Sequence, residues 1–339
     1  MKIQVNDLSQ ALKLSIISTK TNIPILAGIK ITADKEITLT STNLEISKII
    51  KCSGKVIKKG STVVNGKVLL EIFKTLNEAE LSIDGNSLLI TSGKSKFKIP
   101  TMDVKDFPGF PDFKDNETLD IHGGILTEAI EKTIKAVGID LSRPVLTGAL
   151  LVIDKDFTLV STDSYRLAKY SANIKSKVKI EALIPLQSLE EILKLVQEDT
   201  TISVDQNLLK VETEQAIFIT RLIEGVFPNY DQIIPKDYKS MIICDKSELV
   251  TAIKQASLMG DTFIIEDSLK ISASTAQVGE SEILLDATGE MEKTVFNAQY
   301  FLDGLANVKS IEIQYNGPTN PCVLKGENYL YMIMPVRLN

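Results

Sequence analysis

A chain of 339 residues exceeds what one ordinary hydrophobic core organises, so several domains are expected. Hydrophobic residues at 44% and charged residues at 24% give the balance of a globular protein and exclude disordered or fibrous classes. The net charge of −6 argues against an evenly basic nucleic-acid binder but leaves room for a basic patch on an acidic body.

The opening MKIQVND runs straight into polar sequence without a secretory signal. The longest apolar run, Ala149 to Ile153, is far too short for a bilayer, so a cytoplasmic protein without membrane contact is expected. Cys52, Cys244 and Cys322 are widely spaced and form no CxxC, which suggests neither a disulfide framework nor a zinc site. No metal or other cofactor is expected.

In chain order, apolar residues at helical spacing recur six times, each after a cap-like polar residue or turn. Leu8, Leu12 and Ile16 follow Asn6-Asp7, and Leu69, Phe73 and Leu76 follow Asn65-Gly66. Leu126, Ile130, Ile134 and Val137 make a third stripe; Leu189, Leu193 and Val196 follow Ser188. Leu249, Ile253 and Ala256 follow Asp245, and Phe301, Leu305 and Val308 follow Asn297. The predicted helices recur about every 60 residues. Between them lie short β-rich runs such as ITLTST (37–42), LSIDGNSLLITS (81–92), FTLVST (157–162), TISVDQNLLKVE (201–212) and SLKISAS (268–274). Asp84-Gly85 and Asn316-Gly317 mark hairpin turns.

A longer repeat overlies this period. The 25 residues from Leu26 align without a gap on those from Leu146, an offset of 120, with eight identities that include Gly28/Gly148 and Ser41-Thr42/Ser161-Thr162. The same offset carries Phe107-Pro108 onto Phe227-Pro228. The fold expected is α+β: three repeated domains at 1–117, 118–240 and 241–339, each with two helices on two small antiparallel sheets.

Motifs for catalysis are thin. The one histidine, His122, beside Gly123-Gly124, is a turn or surface residue. GSTVVNGK (60–67) has the wrong spacing for a phosphate loop and carries Val68 where that loop needs Ser or Thr; it is better read as a helix start. Glu190 and Glu191 point about 100° apart on a helix and are expected on a solvated face. No Gly-x-Ser-x-Gly, His-Glu-x-x-His or dinucleotide fingerprint appears. Three segments call for more than core packing: STDSYRL (161–167), FPNYDQII (227–234) and the apolar terminus YMIMPVRLN.

Those segments, in that order on a threefold repeat, carry a resemblance to a known family. Pro24-Ile25-Leu26 with Gly28, Arg143-Pro144-Val145-Leu146 with Gly148, and Ser161-Thr162-Asp163 with Arg166-Leu167 belong to the match. So do Phe227-Pro228 with Tyr230, Phe296-Asn297 with Tyr300, and Met334-Pro335-Val336-Arg337-Leu338. Over its whole length the chain resembles the bacterial sliding clamps, the beta subunits of DNA polymerase III. The resemblance implies a non-catalytic processivity factor: a head-to-tail homodimeric ring around double-stranded DNA that holds it without regard to sequence. It implies a replicative polymerase, a clamp loader and other clamp-motif proteins as partners.

By the same resemblance, a hydrophobic cleft between domains two and three comprises Leu146, Thr162, Ser164, Tyr165, Arg166, Leu167, Pro228, Ile233, Asn297, Tyr300, Val323, Met334, Pro335, Val336 and Arg337. Phe97 and Ile99 would meet Leu258 across the dimer junction. DNA would be approached by Lys20, Lys13, Lys67, Lys74, Lys132, Lys135 and Lys254, although the six predicted helices together carry no net charge. The chain departs from the family where Ser164-Tyr165 replaces a common Gly-His, Gln232 a frequent arginine, and Asn339 extends the terminal Leu. Two other readings stay open: a clamp-like scaffold that no longer encircles DNA, and a hydrolase with an unrecognised cysteine or carboxylate site.

Overall fold

The computed structural model describes residues 1–18, 23–114, 117–196, 199–267 and 269–337. Among them are six α-helices: α1 (Ser9–Ser15), α2 (Gly66–Phe73), α3 (Gly123–Thr133), α4 (Leu186–Leu195), α5 (Lys246–Ala256) and α6 (Ala298–Ala306). Each starts close to where the apolar spacing placed it. Three of the expected caps act as such: Asn65 accepts a hydrogen bond from Val68 N at 3.1 Å, Asp245 from Glu248 N at 3.0 Å and Asn297 from Tyr300 N at 2.9 Å. Ser188 is not a cap. It lies buried inside α4, which has already begun at Leu186, because the apolar stripe extends one turn further upstream than its leucines suggested.

The chain forms two compact units. The first, Met1–Leu126 with Glu190–Leu222, holds two antiparallel sheets. One runs in the order Gly54–Lys58, Lys2–Asn6, Glu78–Asp84, Ser87–Ser92, Ser95–Pro100. The other has eight strands, ordered Glu117–Ile121, Thr200–Asp205, Leu208–Glu212, Ala216–Arg221, Ile46–Cys52, Ile37–Thr42, Gly28–Ala33, Gly60–Asn65. Helices α1 and α2 pack together, with Leu12, Leu69 and Phe73 buried.

The second unit, Thr127–Leu189 with Ile223–Asn339, has a nine-stranded sheet. Its order is Ile180–Pro185, Gly148–Ile153, Phe157–Thr162, Arg166–Ala172, Tyr329–Ile333, Cys322–Gly326, Ile311–Tyr315, Ser240–Cys244, Ala287–Thr288. Its four-stranded sheet is ordered Gly279–Leu284, Lys270–Thr275, Thr262–Asp267, Met291–Asn297. Helices α5 and α6 pack around Phe263, Phe296 and Phe301, whose rings meet at 5.2–6.2 Å. The sheets are therefore larger than expected. Strands of one repeat pair with strands of the next, since a paired edge leaves no backbone donors and acceptors unmet.

The aligned sequences at 26 and 146 fold alike down to single bonds. Thr42 Oγ1 donates to Ile46 O at 3.0 Å, and Thr162 Oγ1 to Arg166 O at 2.6 Å. Asn43 Oδ1 accepts from the amides of Glu45 and Ile46; Asp163 Oδ1 accepts from those of Tyr165 and Arg166. Between them Leu44 and Ser164 both adopt a left-handed backbone, with φ of 77° and 80°. Ser41 Oγ donates to Ser15 O at the end of α1, and Ser161 Oγ to Thr133 O at the end of α3. Gly28 and Gly148 recur because a β-carbon would come within 2.7 Å of Val63 in one copy and 2.3 Å of the Ile184 carbonyl oxygen in the other.

One expectation fails outright. Glu191 is not on a solvated face: it is buried, and its carboxylate takes a hydrogen bond from Lys48, itself fully buried, and another from Lys194 at 2.8 Å. Lys48 Nζ also donates to Leu14 O at 2.8 Å. The sequence pattern shows Glu191 only as one polar residue of a helix, whereas a strand distant in sequence supplies its cation.

Candidate partner-binding site

The second unit carries a site built on Arg166. Its Nε donates to Asp163 Oδ2 at 2.9 Å, and its Nη1 to Asp303 Oδ2 at 2.5 Å and Tyr331 Oη at 3.4 Å. The guanidinium carbon stands 4.1 Å from the centre of the Tyr300 ring. Burial opposes the charge, but Tyr331, Asp303 and Asp163 outweigh it and hold Arg166 above the usual arginine value. Burial raises the Tyr300 phenol as well. Tyr331 Oη donates to Tyr300 O at 3.0 Å, and Gly304 lets α6 press onto the Tyr331 ring, where a β-carbon would come within 2.4 Å.

Beside this cluster lies a cavity of about 350 Å³ lined by Val137, Gly138, Ile139, Asp140, Arg143, Leu146, Asp163, Tyr165, Arg166 and Tyr300. Tyr165 is 63% exposed and its ring centre stands 6.4 Å from that of Tyr300. Arg143 Nη1 donates to Ser164 Oγ at 3.0 Å. The terminal segment is tied on by its backbone: Met334 N donates to Tyr165 O and Val336 N to Val295 O, each at 2.8 Å. An apolar cluster adjoins through Leu146 and contains Leu167, Phe227, Val323 and Met332, with Tyr230 and Ile234 packed on it.

Of the residues expected here, Leu146, Tyr165, Arg166 and Tyr300 line one cavity. Leu146, Leu167 and Val323 share the buried cluster, so they form floor rather than open wall. Thr162 and Asn297 are used internally, in the turn and in the cap of α6. Arg166, while lining the cavity, is held by Asp163 and Asp303. Ile233 at 49%, Met334 at 36% and Val336 at 40% are exposed apolar surface, and Pro228 and Arg337 are also exposed. Pro335 is not among the residues that line this cavity. Sequence reasoning missed Asp303, Val137, Ile139 and Asp140. The signal for Ile139 was available, since it and Leu141 are apolar residues in a polar turn and stand 84% and 81% exposed.

Of the expected DNA-facing lysines, Lys13, Lys67, Lys74, Lys135 and Lys254 are exposed. Lys20 lies outside the described residues. Lys132 is a correction: its side chain is 14% exposed, donates to Glu128 and to Glu327 O, and sits over the Tyr170 and Tyr329 rings. That packing makes it an internal anchor. Phe97 and Ile99 lie on the end strand of the five-stranded sheet, and Leu258 is 70% exposed.

Chemistry by cysteine is disfavoured, because burial pushes the Cys52 thiol up to about 12 and the Cys244 thiol up to about 11. The exposed His122 accepts a hydrogen bond from Gly124 N at the start of α3. No helix among the described residues is long and apolar enough to cross a membrane.

Three helix-and-sheet repeats that share sheets along one chain define a clamp-fold protein. Family models for the N-terminal, central and C-terminal domains of the DNA polymerase III beta subunit match residues 2–111, 120–229 and 231–337, and the chain belongs to that family. It is similar to the beta sliding clamp of Chlamydia pneumoniae, at 30% identity over 98% of both chains. It is also similar to that of Staphylococcus aureus, at 29% identity over 98% of this chain and 96% of the relative. The crystal structure of the Bacillus subtilis DNA polymerase sliding clamp superimposes with a TM-score of 0.92 at 26% identity, covering 100% of both chains.

Proposed function

We propose that this protein is a DNA sliding clamp. Two copies close head to tail around duplex DNA, and the closed assembly tethers a replicative polymerase, a clamp loader and other clamp-motif proteins. The observation that carries this reading is a pair of open sheet edges. Strand Ser95–Pro100 ends one sheet and strand Gly279–Leu284 ends another, each with a single neighbour. Set edge to edge between two copies, they would make a third strand join of the kind the chain contains twice, at Ala216–Arg221 with Ile46–Cys52 and at Tyr329–Ile333 with Arg166–Ala172. Phe97, Ile99 and Leu258 would be covered by that join.

The action is topological. A closed ring cannot leave DNA sideways, so weak phosphate contacts from Lys13, Lys67, Lys74, Lys135 and Lys254 suffice and leave sliding free. The cavity around Tyr165 and Tyr300, with exposed Ile233, Met334 and Val336 nearby in sequence or bonding, suits an apolar side chain of a short peptide.

The test is retention on DNA. Clamp loaded on nicked circular duplex should stay bound and be lost once the circle is cut; equal retention on both forms would refute encirclement. The neutral helices favour a second reading, a scaffold that binds clamp-motif peptides without encircling DNA. A monomer with intact peptide binding would support that reading.

A further inference from the structure

Three neighbouring strands of the nine-stranded sheet, Arg166–Ala172, Tyr329–Ile333 and Cys322–Gly326, place Leu167, Met332 and Val323 side by side in the apolar cluster that also holds Phe227. Strand side chains alternate between faces, so the next set on this face lies two residues along, about 7 Å away. That set is Lys169, Leu330 and Lys325, a leucine with a lysine on either side.

Here the face opens into a cavity of about 570 Å³ that shares no lining residue with the one around Tyr165. Leu330 and Ile234 give it apolar surface, and Lys236 adds a third ammonium. Against three lysines the lining has one carboxylate, Asp231, in a chain whose net charge is −6. The Asp231 side chain is 65% exposed and accepts a hydrogen bond from Lys169 Nζ at 3.0 Å. Aromatic rings steady two of the ammonium groups without neutralising them: Lys169 Nζ stands 5.0 Å from the centre of the Tyr230 ring, and Lys325 Nζ 5.9 Å from that of Tyr238. Among the described residues no ion pair joins Lys236 or Lys325 to a carboxylate.

We propose, on the peptide-binding reading above, that this cavity takes the acidic flank of a peptide whose apolar residues occupy the neighbouring cleft. Lys169 and Lys325 stand two strand spacings apart, about 10 Å, so a carboxylate set over Leu330 comes within reach of both flexible side chains. Its aliphatic stem covers Leu330 and Ile234. In the free protein the exposed Asp231 holds the place of that carboxylate, and the acid of the ligand displaces it from Lys169. A neutral or basic flank leaves the lysines unmatched, so they discriminate among partners that share one apolar motif.

The test titrates the full chain with fluorescent clamp-motif peptides extended by a run of glutamates or of glutamines, on the N-terminal or the C-terminal side. At low salt one glutamate peptide should bind about fivefold or more tighter than its glutamine twin, and high salt should erase the difference. K236Q/K325Q should remove most of that advantage and leave glutamine-peptide affinity unchanged, with circular dichroism confirming the fold. D231N, which frees Lys169, should enlarge it. Equal affinities for glutamate and glutamine peptides at both ends, an advantage that survives in full in K236Q/K325Q, or one that D231N leaves unchanged or lowers, would overturn the proposal while leaving the cleft reading intact. Glutamine peptides that fail to bind at all would overturn both. A single-stranded oligonucleotide weakened by K236Q/K325Q, with the glutamate advantage untouched, would assign the lysines to nucleic acid and also overturn the proposal.

Discussion

Lys48 and Glu191 form an ion pair in which both side chains are removed from solvent, at 0% and 4% exposure. Burial lowers the Lys48 ammonium pKa, and the Glu191 carboxylate only partly offsets that. Removing one partner leaves a buried charge. K48M should cost about 3–5 kcal/mol, and K48M/E191L should recover part of this while leaving Leu14 O without its donor. Urea unfolding of the full chain measures both; equal losses in the single and double variants would contradict the pairing.

Arg166 lines the cavity and also fixes its neighbours there. R166K keeps the charge but loses the planar fork shared between Asp163 and Asp303 and the stacking on Tyr300, so peptide affinity should fall roughly tenfold. D303N should give a similar loss. Because the two residues act as a unit, the double variant should be little worse than either single one. Titration of a fluorescent clamp-motif peptide reads all three, and additive losses would argue against a shared role.

Lys132 differs from the exposed lysines expected at DNA. K132A should lower stability by roughly 1–2 kcal/mol, through lost ring contacts and the lost bond to Glu327 O, with retention on circular DNA unchanged. K13A, K67A and K254A should do the reverse. Thermal unfolding and DNA retention measured on the same samples separate the two behaviours.

The left-handed turns offer a stability test. Leu44 is 51% exposed with φ of 77°, so L44G should stabilise by about 0.5–1 kcal/mol once the larger unfolded-state entropy of glycine is subtracted. S164G relieves the same strain but gives up the bond from Arg143, and its gain should be smaller. Equal gains would mean that the Arg143 bond contributes nothing.

Asp245 caps α5, and its carboxyl pKa is lowered by hydrogen bonds from Ser247 and from the backbone of Glu248. A depressed carboxyl stabilises fully above its unfolded value of 3.8 and loses that contribution as pH falls through the folded value. D245A should therefore lower the melting temperature at neutral pH, with the deficit shrinking in acid. D245N, which still accepts a bond when uncharged, should keep more of the cap and show little pH dependence. A deficit constant across this range would contradict the charged cap.

Much of the architecture was legible in the chain alone. Six apolar stripes at helical spacing give the six helices, because a stripe that must be buried fixes both the element and its inward face. The repeat at 26 and 146 marked two copies of one turn, since a left-handed residue directly after Thr-Asn or Thr-Asp needs the same short polar partners wherever it recurs. The apolar terminus and the STDSYRL segment with Tyr165 pointed to the candidate site. Other features had no local trace. Asp303 is an ordinary helix residue until Arg166 reaches it across 137 positions, and Glu191 is one more polar residue until Lys48 arrives from 143 positions away.

Local pattern thus determined the elements, their threefold order and the residues that favour a partner site, since these depend on periodicity and turn chemistry over a few residues. Only the tertiary structure decided which charges are buried in pairs, which lysine is an anchor, and which strands end the sheets. Those outcomes depend on what the folded chain brings within a few ångströms, and desolvation and strand pairing act at that range with no regard for distance along the sequence.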